Sequence, residues 1–279
     1  MLLVACADRP GLVAALAQTL SAHGVNITSA DQHADPEAGQ FFQRIAFDMS
    51  QATCDRATLE GAIGHCADRL EMRWRVSYGD APKRVAIFVS KYEHCLYDLL
   101  LRHRAGELNC EIPVIVSNHP DLAEVASQFR IEYRHLPIDS GGKADQEQRA
   151  RALLEEFDID LVVLARYMQI LSDGFIEAYR DRIINIHHSF LPAFIGGRPY
   201  HQAATRGVKL IGATAHYATA DLDEGPIIEQ DVIRASHRDT VADLMRKGRD
   251  VERMVLGRAV RWHLDDRVLV YGNRTVVFS

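Results

Sequence analysis

Over residues 2–78, apolar runs and amphipathic segments follow one another as strand, helix, strand, strand, helix, strand. "LLVACA" is a short apolar strand, broken by Pro10 and Gly11. "GLVAALAQTLSAHG" then sets Leu12, Leu16, Thr19 and Leu20 on one helical face, with Gly24 as the stop. "NITSADQH" and "FFQRIAFDM" predict strands around the polar turn "ADPEAGQ", followed by a helix near 54–70 and the strand "MRWRVSY". This β-α-β-β-α-β order is the ferredoxin-like arrangement. "GDAPKR", 79–84, has the Pro, Gly and charges of a linker, placing one domain at 1–80 and a second at 83–279.

Beyond the linker the pattern changes. "RVAIFVS", "EIPVIVS", "DLVVLAR" and "RIINIH" are nearly continuous apolar runs separated by helical segments such as 143–157. Runs apolar on both faces and alternating with helices predict a doubly wound, mostly parallel sheet covered on both sides. "IGATAHYAT" and "PIIEQDVIRA", joined by "ADLDEG", read as an antiparallel pair. "TVADLMRKGRDVERMVLGRAVRWHLDD" is a long amphipathic helix, and Gly272-Asn273 between apolar strands predicts a terminal hairpin.

The totals narrow the function classes. The 279 residues are 47% hydrophobic and 25% charged, the profile of a globular protein with a sizeable core. A net charge of −6 argues against a partner held through its phosphate backbone, so no nucleic-acid role is expected. Five scattered cysteines without a C-x-x-C pair read as reduced thiols, and no apolar run approaches a membrane span; the expected location is the cytoplasm.

The candidate chemistry lies in "IINIHHSFLPAFIGGRP", 183–199. Residues two apart on a strand share a face, so Asn185 and His187 point together and His188 should point to the opposite layer, in a structural role. Adjacent histidines that diverge make a poor metal pair, and no H-E-x-x-H or Cys/His spacing helps them; no metal is expected. Ser189 lacks the G-x-S-x-G elbow of a hydrolase nucleophile. An imidazole can exchange protons near pH 7, and an asparagine amide can donate to an oxygen that becomes negative during attack on a carbonyl. The carboxylate to complete such a site would come from "TADLDEGPII". On the residues alone, a hydrogen-bonded strand end remains an equal reading. Gly196 and Gly197 predict a loop turning over the site, in which Arg198 can meet an acidic substrate tail or form a surface ion pair. His201 and His216 can line the pocket, though fold or loop roles are the commoner reading, and Gly141-Gly142-Lys143 reads as a helix-entry turn.

Two resemblances add to this reading. "DRPGLVAALAQTLSAHGVNI" resembles the ACT domain, a regulatory module that commonly binds amino acids between paired copies. That implies effector contacts at Asp8, Gly11 and Asn26 and association into a homo-oligomer. "NIHHSFLPAFIGGRPYHQA" with "GATAHYATADLDEGPIIEQD" resembles the formyltransferase-type domain that uses 10-formyltetrahydrofolate. The resemblance implies a catalytic set of Asn185, His187 and Asp223. It also implies folate contacts at Met168, Ile170 and Leu171 in "RYMQILS", with Asp221 on the opposite wall. The turn "VSKYEHCLYDLL" has no glycine for a substrate phosphate to approach, unlike members that formylate glycinamide ribonucleotide. With the ACT-like module in front, the chain looks like the branch of that family in which water accepts the formyl group. The implied activity is hydrolysis of 10-formyltetrahydrofolate to tetrahydrofolate and formate, without metal or cofactor, feeding one-carbon and purine metabolism. Two alternatives stay open: a formyltransferase to an amine acceptor, and an amino-acid-sensing regulator that merely binds folate.

Overall fold

A computed structural model describes residues 1–193 and 199–279. The chain divides into two compact units: Met1–Ala81 with Asp266–Tyr271 and Val276–Ser279, and Pro82–Asp265 with Gly272–Thr275.

The first unit contains β1 (Leu2–Ala7), α1 (Leu12–Ala22), β2 (Asn26–Asp35), β3 (Gln40–Asp48), α2 (Arg56–Arg69) and β4 (Arg73–Val76). Its strands lie in the order β2-β3-β1-β4, all antiparallel, so the ferredoxin-like arrangement read from the pattern is present. One face of the sheet packs on the helices through Leu2, Val4, Leu16, Leu20, Ile45 and Ile63. Thr19, placed with the apolar stripe of α1 by spacing, is half-buried and donates its hydroxyl to the Ala15 carbonyl instead. The opposite face carries Ala5 and Phe42, which pack against Phe278 from the end of the chain. The apolar pattern alone placed that terminal segment with the second domain.

The second unit contains β5 (Lys83–Val89), α3 (His94–Arg104), β6 (Cys110–Ser117), α4 (Ala123–Gln128), β7 (Glu132–His135), α5 (Gly142–Glu156) and β8 (Leu161–Leu164). It continues with α6 (Asp173–Ala178), β9 (Ile183–His187), α7 (Pro199–Arg206), β10 (Leu210–Tyr217), β11 (Ile227–Arg234) and α8 (Val241–Leu264). Two short strands, β12 (Val268–Tyr271) and β13 (Arg274–Val277), close the chain as the expected hairpin. The sheet runs β11-β10-β9-β8-β5-β6-β7, parallel from β9 to β7 and antiparallel at β10 and β11. β7, "EYRH", is a four-residue edge strand with no fully buried residue, which is why no apolar run announced it. Along the central strands, Ala86, Phe88, Val162 and Leu164 face a core shared with α5 and α6. Their neighbours Val85, Ile87, Leu161 and Val163 are buried on the other side, as continuous apolar runs require.

The face that carries Asn185 and His187 starts apolar. Ile183, two residues earlier, belongs to the core with α5 and α6. The hairpin loop 218–226 between β10 and β11 supplies the group that meets the polar end of this face. Its geometry is enforced by close backbone packing: a Cβ at Gly225 would stand 1.8 Å from the Tyr217 carbonyl oxygen. The Tyr217 N–H donates to Pro226, and the Asn273 side chain donates to the Glu224 carbonyl at 2.8 Å.

Candidate active site

The three residues expected to carry chemistry come together. His187 Nδ1 lies 3.1 Å from Asp223 Oδ2, with both side chains almost fully buried. Asp223 adopts a left-handed backbone, φ 60°, which turns its side chain out of the loop and toward the sheet. Burial would raise its pKa, but the hydrogen bond from His187 outweighs that and holds the carboxyl well below its usual range. It is therefore ionised at neutral pH. The other nitrogen of His187, Nε2, is buried and meets no hydrogen-bond partner among the described residues.

A fourth residue joins them. β10 runs antiparallel to β9 with His216 opposite Asn185, so the two share a face. His216 Nδ1 lies 3.0 Å from the Tyr217 carbonyl, which only a nitrogen carrying hydrogen can satisfy. With hydrogen on Nδ1, Nε2 is the acceptor for the Asn185 amide, 3.2 Å away. That bond fixes the amide and leaves its second N–H free. His216 Nε2 is also 3.7 Å from Asp223 Oδ1. Of the two roles open to His216, pocket or fold, its bond to Asn185 gives it a place beside the site. A histidine among small residues in "GATAHYAT" was the available signal, but its partner depends on a register that no pattern prints.

The strand end is braced from behind. Thr214 donates its hydroxyl to the Ser189 carbonyl and accepts from the Leu191 N–H, while Gln230 donates to the Leu191 carbonyl and to Thr214. Ser189 donates to the Ala193 carbonyl, a structural use of its hydroxyl. His188 lies among groups of α3, α7 and α8, with its ring 6.1 Å from that of Tyr200, whereas the face of Asn185 and His187 begins in the core with α5 and α6; the two imidazole centres are 5.3 Å apart. Gly196, Gly197 and Arg198 lie outside the described residues.

The remaining expected contacts differ in character. Met168 and Ile170 are 52% and 61% exposed. Leu171 is instead buried in the core with α5 and α6. Asp221 is exposed, and its carbonyl accepts from Thr219. Met168 is positioned by its N–H, which donates to Ser90 Oγ at the end of β5. In the first unit Asp8, Gly11 and Asn26 are all exposed, and Gly11 caps α1 with φ 93°, a conformation that favours glycine.

A second buried polar cluster had no sequence motif. Glu252, charged but set in the apolar stripe of α8, accepts from Tyr200 Oη at 2.7 Å and contacts His94 Nε2 at 2.7 Å. Gly248 makes room for it, since a Cβ there would fall 1.9 Å from the Tyr200 hydroxyl. His94, Cys95 and Glu252 present three ligand-type atoms within 4.8 Å of one another. They do not suit a cation: His94 and Glu252 already bond each other, Arg166 stands 3.6 Å from the same carboxylate, and burial pushes the Cys95 thiol well up.

A formyl transferase family model matches residues 83–260, and an ACT domain model matches residues 1–49. The chain is 55% identical to a formyltetrahydrofolate deformylase of Synechocystis, over all of this chain and 98% of that protein. The chain belongs to the formyltetrahydrofolate deformylase family. A relative of the same name from Bacillus subtilis is 49% identical over all of this chain and 93% of that protein. The crystal structure of a formyltetrahydrofolate deformylase from Pseudomonas syringae superimposes with a TM-score of 0.97 at 47% identity, covering 100% of this chain and 93% of that one. The five cysteines are all free, and no described helix is long and apolar enough to cross a membrane.

Proposed function

We propose that this protein hydrolyses 10-formyltetrahydrofolate to tetrahydrofolate and formate, with Asn185, His187 and Asp223 around the formyl group. The observation that carries the reading is the His187 imidazole, with one nitrogen on an ionised carboxylate and the other buried and without a partner among the described residues. Full-length relatives that bear the deformylase name support it.

On this reading each residue has a task. The free N–H of Asn185 donates to the formyl oxygen and then to the oxyanion that forms on it, a contribution of about 3–4 kcal/mol for one such donor. Asp223 orients the attacking water with the lone pairs that His187 does not use. The water oxygen bonds to the formyl carbon, and a proton from the water passes to His187 Nε2. The resulting imidazolium is stabilised by Asp223 through Nδ1–H. His187 then returns the proton to N10 as the carbon–nitrogen bond breaks. Tetrahydrofolate leaves with N10 protonated, formate leaves as its anion, and one proton is released to solvent.

Met168 and Ile170 offer exposed apolar surface for the pterin, Leu171 backs them from the core, and Asp221 offers an acceptor on the opposite wall. Residues 83–279 would carry the chemistry without metal or cofactor. Residues 1–80 would bind an amino-acid effector near Asp8, Gly11 and Asn26 and hold copies together. The free thiols agree with a cytoplasmic site for the reaction, which supplies formate and free tetrahydrofolate to one-carbon and purine metabolism. Formate release from 10-formyltetrahydrofolate with no amine present tests the proposal. Release that requires an added amine would make the protein a formyltransferase; binding without turnover would make it a folate-binding regulator.

A further inference from the structure

Beside the candidate site lies a cavity of about 240 Å³ whose wall includes Tyr92, Arg166, His188, Tyr200, Arg249 and Glu252, the His188 ring 5.3 Å from that of His187. Its central group is Arg166. The side chain is only 8% exposed, and Nε and Nη1 are buried without a hydrogen-bond partner among the described residues. A guanidinium cannot shed its proton, so burial without acceptors costs several kcal/mol unless something supplies them. Glu252 is the nearest anion, at 3.6 Å, but its oxygens already accept from Tyr200 and contact His94. Arg166 also sits at φ 65°, a left-handed conformation unfavourable for a long side chain. Strain of this kind persists where the placement of a side chain matters.

We propose that this cavity binds formate, held by the Arg166 guanidinium, as a product site next to the reacting imidazole. The inference rests on the hydrolytic reading, because that reaction generates formate one side chain away. Planar carboxylate matches planar guanidinium, and charge-assisted bonds of this kind are the stronger class. Two arginines against Glu252 leave an excess of one positive charge among the guanidinium and carboxylate groups of the wall, suited to a monoanion. Tyr92 steadies the cationic groups: the Arg166 and Arg249 guanidinium carbons lie 4.9 and 5.9 Å from its ring centre. His188, kept neutral by burial and by Arg166, divides the cavity from His187 without adding charge.

Equilibrium dialysis of radiolabelled formate against the unliganded full-length protein tests this, because it needs no turnover. The expected result is saturable binding that falls at least tenfold in Arg166→Gln and several-fold in Arg249→Gln, and that persists in Asn185→Ala. Formate should also inhibit hydrolysis without competing with the folate substrate. Absence of saturable binding, or binding unchanged in Arg166→Gln, overturns the proposal. So does binding lost in Asn185→Ala, since the anion would then occupy the formyl position itself. Should Arg166→Gln fail to fold, unchanged binding in both Arg249→Gln and Tyr92→Leu overturns it. A protein that binds formate in this manner yet releases none from 10-formyltetrahydrofolate would refute the hydrolytic reading while leaving the anion site standing.

Discussion

The proposed chemistry is concentrated in two hydrogen-bonded pairs, His187 with Asp223 and Asn185 with His216. His187→Ala and Asp223→Asn should each lower kcat by about 10²–10⁴-fold, with KM changed only a few-fold, in a steady-state assay of formate release. Asn185→Ala should cost about 10²–10³-fold. His216→Gln should cost less than Asn185→Ala, because it disorders the amide without removing it. A larger loss would assign His216 a direct part in proton transfer. His188 permits a separate test in stability. Burial, then Arg166, lower its pKa from 6.5 to about 4, so protonation favours the unfolded chain. Its neutral form therefore leaves stability intact above pH 6.5, and stability falls as pH drops from there to about 4, by about 2 kcal/mol after allowing for partial exposure. Urea unfolding across that window should show a slope that is reduced in His188→Gln.

Among the elements, the loop between β10 and β11 decides whether a carboxylate reaches the imidazole. Gly225 permits that loop, since its Cα approaches the Tyr217 carbonyl too closely for any side chain. Gly225→Ala should shift Asp223 and reduce kcat at least tenfold, with a stability cost of about 1–3 kcal/mol. The His187 imidazole proton resonance should report the lost Nδ1–Asp223 bond. Retention of both activity and resonance would show that the loop is held by other means. β9 matters in a different way. Its alternation orients Asn185 and His187 together, while His188 lies with Tyr200 of α7 and Glu252 of α8.

For the molecule as a whole, the terminal segment is part of the first unit's core. Phe278 packs on Phe42 and Ala5, and Arg44 donates to the Asp266 carbonyl at 3.0 Å. Phe278→Ala should destabilise that unit by about 3 kcal/mol, read as a lower first transition in calorimetry. Formate release at 25 °C should be unchanged if the second unit supports the chemistry alone. A single transition shifted as a whole would show that the two units unfold cooperatively.

Local pattern determined a large part of this protein. Runs such as "DLVVLAR" announced the parallel strands, Gly11 and Gly24 punctuated α1, and strand alternation paired Asn185 with His187, because each depends only on neighbours within a few residues. The family motifs marked Asp223, but its contact with His187 needed a loop folded onto the sheet. His216 entered the site through the β9–β10 register, and Arg166, His94, Tyr200 and Glu252 met from four separate segments. These are long-range coincidences of packing. Hydrophobic periodicity states which face of an element is buried; which polar groups meet across that burial was decided only when the sheet, its loop and α8 closed together.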